Sequence, residues 1–158
     1  MDERSQTLLE FPLVRARLAD HTSFDPGRRL AEALVPSHEP VLVARALNET
    51  DEARALLEER PGVGVGGAHD IGPSIDRASR GGRLDPAEFL GISDTLEAAT
   101  RLRTVLAEDR RPLLRDLSWS LHALPAIRAT LARSFDPAGD VLDTASPRLG
   151  PLRNVDGQ

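Results

Sequence analysis

Four histidines, His21, His38, His69 and His122, are the side chains of this sequence that could titrate near neutral pH or ligate a borderline-soft metal. They lie too far apart for any two to share a helix face at i, i+3 or i, i+4, so no helix-borne metal pair forms. His69 is followed by Asp70, a carboxylate able to orient an imidazole acting as a base. The same dipeptide reads as a surface histidine beside a helix-capping aspartate. Asp51-Glu52 and Glu58-Glu59 are adjacent pairs, point in different directions on a helix, and read as solvated surface. No serine occupies a G-x-S-x-G elbow. Cysteine and tyrosine are absent, and all 20 basic residues are arginine. That excludes disulfides, thiolate chemistry, cysteine-ligated zinc, a Schiff-base lysine and the lysine-bearing phosphate loop.

Gly62, Gly64 and Gly67 match G-x-G-x-x-G in letter. A dinucleotide fingerprint must follow a strand and open a helix, so that the helix N-terminus meets the pyrophosphate. Here a charged helical segment precedes the glycines, and the stretch reads as a plain loop. No active site, and no cofactor, follows from this chain's own residues.

Charge distribution says more. The chain carries a net charge of -5, which argues against a surface that is basic all round. Residues 101–134 run the other way, with seven arginines (Arg101, Arg103, Arg110, Arg111, Arg115, Arg128, Arg133) against three acids. Trp119, the single tryptophan, lies in the same stretch. Arginines neutralise phosphates and an exposed indole stacks on an unpaired base, so Arg101, Arg110, Arg111, Arg115, Arg128 and Arg133 are candidate nucleic-acid contacts. The competing reading is a mixed surface with Trp119 in the core. Arg103 falls on an apolar seam and reads as a buried or interfacial ion-pair residue.

These residues must be positioned by helices, because apolar positions recur at three- and four-residue steps and strand alternation is nearly missing. Phe11, Val14 and Leu18 mark one helix. Asp25-Pro26 starts another with Leu30, Ala31, Leu34 and Val35 on its apolar face, stopped by Pro36. A longer helix runs from near Pro40 to Arg60-Pro61, with Val43, Ala46, Leu47, Thr50, Ala53 and Leu57 as its seam. A short helix around Ile75 to Ser79 ends at Gly81-Gly82, which suits a left-handed cap. Asp85-Pro86-Ala87-Glu88 carries capping-box logic and opens a helix with Phe89, Ile92, Leu96, Ala99 and Leu106 on its seam. Two more helices follow around Leu113–Leu121 and Leu124–Phe135. Asp136–Asp140 is a turn, Val141-Leu142 a single strand-like pairing, and Ser146-Pro147 starts a last helix. The expectation is an all-α helical array of six to eight helices. An N-terminal helical domain spans 1–135, and 136–158 holds the turn and the start of a further helix. The chain ends at Gln158, about two and a half helical turns past Leu149, which reads as the edge of a longer polypeptide. With no stretch of about 18 apolar residues and an acidic start, a soluble cytoplasmic protein is expected, without membrane contact.

Three stretches then resemble one family in order. The first is Leu9-Glu10-Phe11 with Val14, Leu18, Gly27, Leu34-x-Pro36, Leu47-x-x-Thr50-x-Glu52-Ala53 and Leu56-Leu57. The second is Gly66-Gly67-x-x-Asp70-Ile71, Ala78-x-x-Gly81-Gly82-x-Leu84 and Glu88-Phe89-Leu90-x-Ile92-x-x-Thr95-Leu96. The third is Gly139-x-Val141-x-Asp143-x-Ala145-Ser146-x-x-Leu149-x-x-Leu152-Arg153. Together they resemble the N-terminal region of the second bacterial MutS family, the paralogue without mismatch-reading domains. The resemblance implies a homodimeric ATPase with a C-terminal Smr endonuclease domain, binding ATP and magnesium outside this region. It further implies action on branched DNA to suppress recombination, and on collided ribosomes and their RNA. It places 1–135 before the core and 136–158 at the start of the core and lever. Gly150-Pro151 departs from a continuous lever helix, since a proline inside a helix costs about 3 kcal/mol.

Overall fold

The computed structural model describes residues 3–149, and among them the fold is all-α. The elements are α1 (Glu3–Leu8), α2 (Phe11–Asp20), α3 (Asp25–Glu32), α4 (Pro40–Glu59), α5 (Gly72–Ser79), α6 (Pro86–Ala107), α7 (Pro112–Ser118) and α8 (Pro125–Ser134). A 3-10 turn, Asp143–Ala145, follows. Proline stands in the first turn of every helix from α2 to α8, where its fixed φ suits helix entry and its missing N–H costs nothing. α1 is not among the helices expected from the sequence. α3 ends at Glu32, so Leu34 and Val35 lie beyond the helix that was expected to include them. Gly150-Pro151 and most of the expected last helix lie outside the described residues.

Two compact units are present, one made of residues 3–66 and 101–121, the other of 67–100 and 122–149. α6 contributes its last two turns to the first unit and the rest to the second.

In the first unit α1 packs on α2, and α2 on α3. The buried residues of α2 and α3 are the small Ala19 and Ala31, while Val14, Leu18 and Leu30 stay exposed. Elsewhere in this unit α4 packs on α7. Leu56, Leu106 and Leu114 form the core there, with Ala53, Val63, Leu102 and Leu121 packed around them. Leu56 faces the core, and of the seam of α4 expected from periodicity Ala53 packs beside it while Val43, Leu47 and Leu57 do not. Val43, Leu47 and Leu57 are 37%, 61% and 47% exposed. On a helix wheel Val43 and Leu47 lie on the side opposite Leu56, and Leu57 lies about 100° from it.

In the second unit, α5 ends as the sequence predicts. Gly81 takes φ +78°, its N–H donates to Ala78 O, and Gly82 N–H donates to Arg77 O, the paired bonds of a Schellman cap. A methyl group at Gly82 would stand 2.9 Å from that same Arg77 carbonyl oxygen. Gly81→Ala is therefore expected to destabilise this unit by about 1 kcal/mol through the left-handed backbone, and Gly82→Ala by more. Thermal melts followed by helical circular dichroism check this, and an order reversed between the two would contradict it. Glu88 completes the capping box by accepting from Asp85 N–H at 2.9 Å. Its other oxygen accepts from the Ser74 hydroxyl and pairs with Arg77, tying α5 to the start of α6. Ser74 above all, then the Asp85 amide and Arg77, hold Glu88 below the usual carboxylate range. Phe89 and Phe135 stack at 4.9 Å between centroids. The Asp136 carboxylate closes the following turn by accepting from Ala138 and Asp140 N–H. Val141 then forms the expected single bridge, with Phe135, so residues 136–149 stay packed with α8.

Candidate nucleic-acid interface

No group of three or more histidine, aspartate or glutamate side chains that could hold a metal ion lies among the described residues. Gly62, Gly64 and Gly67 lie in a loop joining α4 to α5, with no strand before it. Asp70 accepts from Gly72 N–H at 3.3 Å in a tight turn just before α5, but the N-cap position is Ile71 and carries no side-chain cap, so Asp70 is not the capping residue expected. His69 instead faces Asp94 of α6 at 3.5 Å, both side chains more than half exposed.

The arginines of 101–134 divide between the two units. Arg101, Arg103, Arg110, Arg111 and Arg115 belong to the first, Arg128 and Arg133 to the second. Arg101 donates to Gly66 O at 2.9 Å from the exposed side of α6. Arg103 is exposed. The expected seam keeps Leu106, which is buried, but runs through Leu102 rather than Arg103.

Arg110 and Arg111 converge on Glu59, at the end of α4. The Arg110 Nη2 hydrogen donates to Glu59 Oε1 at 2.6 Å, from a side chain that is 79% exposed. Arg111 is turned inward. Its side chain is 9% exposed, its Nη1 donates to both oxygens of Asp109 at 3.0 Å, and its own N–H donates to Asp109 Oδ1 at 2.9 Å. Arg111 Nη2 stands 2.6 Å from Glu59 Oε1 as an ion pair, without the alignment of a hydrogen bond. Burial works against ionising Asp109, but the Arg111 amide and guanidinium outweigh it and hold the carboxyl below its ordinary range. The two arginines, Arg111 foremost, lower Glu59 as well. Arg111 thus spends its donors inside the protein, while Arg110 keeps most of its guanidinium in solvent.

Arg115 and Trp119 lie one helical turn apart at the end of α7, so they share a face. Leu114 and Ser118 occupy the buried side of that helix. Arg115 is exposed and its side chain has no partner among the described residues, and Trp119 is 76% exposed. Trp119 is therefore not a core residue. In the second unit, Arg128 is half-buried in a groove with Ser93, Glu97, Ala129 and Ala132. Arg133 is exposed on α8.

Two residues read from the sequence as solvated surface have structural roles. Glu59 gathers Arg110 and Arg111, and Glu52 accepts from Leu114 N–H at 3.0 Å. Glu52, Leu56 and Glu59 follow i, i+4, i+7 spacing along one side of α4. That spacing was available in the sequence, but their partners lie 62 and 51 residues away for Glu52 and Glu59.

No protein-family model matches the chain. Comparison with individual proteins gives a consistent answer. The chain is 37% identical over 154 residues to endonuclease MutS2 of Symbiobacterium thermophilum, covering 97% of this chain and 19% of that protein. It is 40% identical to endonuclease MutS2 of Thermomicrobium roseum, covering 92% and 19%. It is 39% identical to endonuclease MutS2 of Geobacillus thermodenitrificans, covering 97% and 20%. The chain spans about a fifth of the length of these curated relatives. The matched fifth is their N-terminal region, so the chain belongs to the MutS2 family through that region.

Proposed function

We propose that this chain is a non-catalytic N-terminal module of a MutS-type ATPase and endonuclease, and that it contacts branched or structured DNA. The observation that carries the reading is the Arg115–Trp119 face. An unpartnered guanidinium and a mostly exposed indole stand together on one short helix, with Arg110 exposed just before it. Such a pair offers a phosphate contact beside a stacking platform. Arg101 extends the cationic side of the first unit, and Arg128 and Arg133 are candidate contacts of the second unit by itself. Arg111 acts from inside, by fixing the turn that presents Arg110. Ribosomal RNA presents the same phosphates and unpaired bases, and suppression of recombination or rescue of collided ribosomes would be the cytoplasmic setting.

ATP and magnesium do not fit this chain. It has no lysine, and its glycine-rich loop joins two helices without a strand before it. In a homodimer of family length they belong to residues outside the matched region, as does endonuclease chemistry. The described residues also contain no helix long and apolar enough to cross a membrane.

A structural or dimerisation module is the second reading, favoured by the exposed Val43, Leu47 and Leu57 on the outer side of α4. A four-way DNA junction titrated at two salt concentrations separates the two. Loss of Arg110 and Arg115 together is expected to flatten the slope of log K against log salt by up to about 2, at roughly 0.9 per phosphate contact. Trp119→Ala is expected to weaken binding with little change in that slope. Unchanged binding by both variants, or none by the parent chain, refutes the DNA reading. Arg111 stays intact in this test because its substitution would disturb Asp109 and Glu59.

A further inference from the structure

We infer that Glu52 is a positioning residue, which fixes the start of α7 and so the placement of Arg115 and Trp119. The inference rests on the proposed role of that face in binding nucleic acid. α7 has only seven residues, too short to persist by its own hydrogen bonds. It also lacks an N-terminal side-chain cap of its own, because the residue at that position is Arg111. Pro112 removes one unsatisfied N–H from the first turn, but the Leu114 N–H remains. Glu52 Oε2 accepts it at 3.0 Å, so a carboxylate from α4 supplies from outside the cap that the local sequence withholds. One turn along the same side of α4, Leu56 packs in the core with Leu114. A further turn on, Glu59 takes Arg110 and Arg111. α4 thus holds α7 at three points, and the first of them sets where the helix begins. Trp119, at the far end of α7, takes its direction from that start.

Trp119 is the only tryptophan, so its fluorescence anisotropy reports α7 alone. Glu52→Ala is expected to lower that anisotropy and to speed amide exchange at Leu114 by about fivefold, the size of a lost cap. Exchange in α5 and α8 should stay unchanged. Glu52→Gln keeps an acceptor oxygen at the same reach and is expected to restore both readouts. Glu52→Asp keeps the charge but withdraws the oxygen by one methylene. It should behave like the alanine variant, and it carries the test if the alanine variant fails to fold. Unchanged Leu114 exchange in Glu52→Ala or Glu52→Asp overturns the inference, as does a glutamine variant as loose as alanine. These measurements need no nucleic acid. If Leu114 loosens while junction binding is unaltered, Glu52 still positions α7 and the binding role of the Arg115–Trp119 face is what falls.

Discussion

Asp109→Ala is expected to lower the unfolding free energy of the first unit by about 3 kcal/mol, the usual cost of stranding one member of a buried ion pair. Asp109 accepts three hydrogen bonds from Arg111, one of them from its main-chain N–H. Without the carboxylate, a guanidinium only 9% exposed keeps Glu59 alone as a partner. The effect would be read as a fall in urea midpoint at constant slope, with Trp119 emission as the signal. A shift worth less than about 1 kcal/mol, below the cost of an unsatisfied buried polar group, would show that Arg111 finds water instead. The pH dependence has a definite sign. The folded-state pKa of Asp109 lies below its unfolded value, so its stabilisation is fully present above roughly pH 4. It is lost as pH falls through the lower, folded-state value. The parent chain should therefore lose this stabilisation in acid, while the alanine variant, already without it, shows a flatter profile below pH 4.

Leu56→Ala should destabilise the same unit to a similar degree, again by about 3 kcal/mol. Leu56 is 3% exposed and packs against Leu106 and Leu114, which leaves few neighbours able to close the space it vacates. Leu47 is the natural control, since it has the same side chain on the same helix but is 61% exposed. Leu47→Ala should change stability by no more than about 0.5 kcal/mol. Equal effects at the two positions would mean that the outer side of α4 is buried in solution, and that the division of this helix into a packed side and a free side is wrong.

The contrast between Leu47 and Leu56 also shows what the sequence could and could not reveal. Interactions closed within about five residues were legible. The Schellman glycines of α5, the Glu88 arm of the capping box, the helix starts at Pro12, Pro26, Pro40 and Pro86 and the Asp136–Asp140 turn all appear as expected. Which side of α4 would be buried was not legible, because two apolar stripes compete on that helix and only packing with α6 and α7 decides between them. Glu52 and Glu59 looked like solvent-facing charge for the same reason, since their partners arrive from 62 and 51 residues downstream. Among the candidate arginines, composition could not separate Arg110 from Arg111. The chain turns one outward and the other onto Asp109, two residues before it. Arg103 was misplaced by following Phe89 and Ile92 straight down α6, although the helix passes from one unit to the other after Thr100.

The outer side of α4 also governs colloidal behaviour. Val43 and Leu47 stand about one turn apart and Leu57 nearly three turns further on, beside Arg54, whose charge is offset by Glu58 at 2.7 Å. Such a rail has little net charge to keep neighbouring molecules apart. Sulfate, excluded from protein surfaces, strengthens apolar burial, and this rail is among the exposed apolar stretches on which that effect falls. A phenyl resin at high sulfate would therefore hold the protein by exposed groups such as Leu47 and Trp119, and not by the side of α4 that carries Leu56.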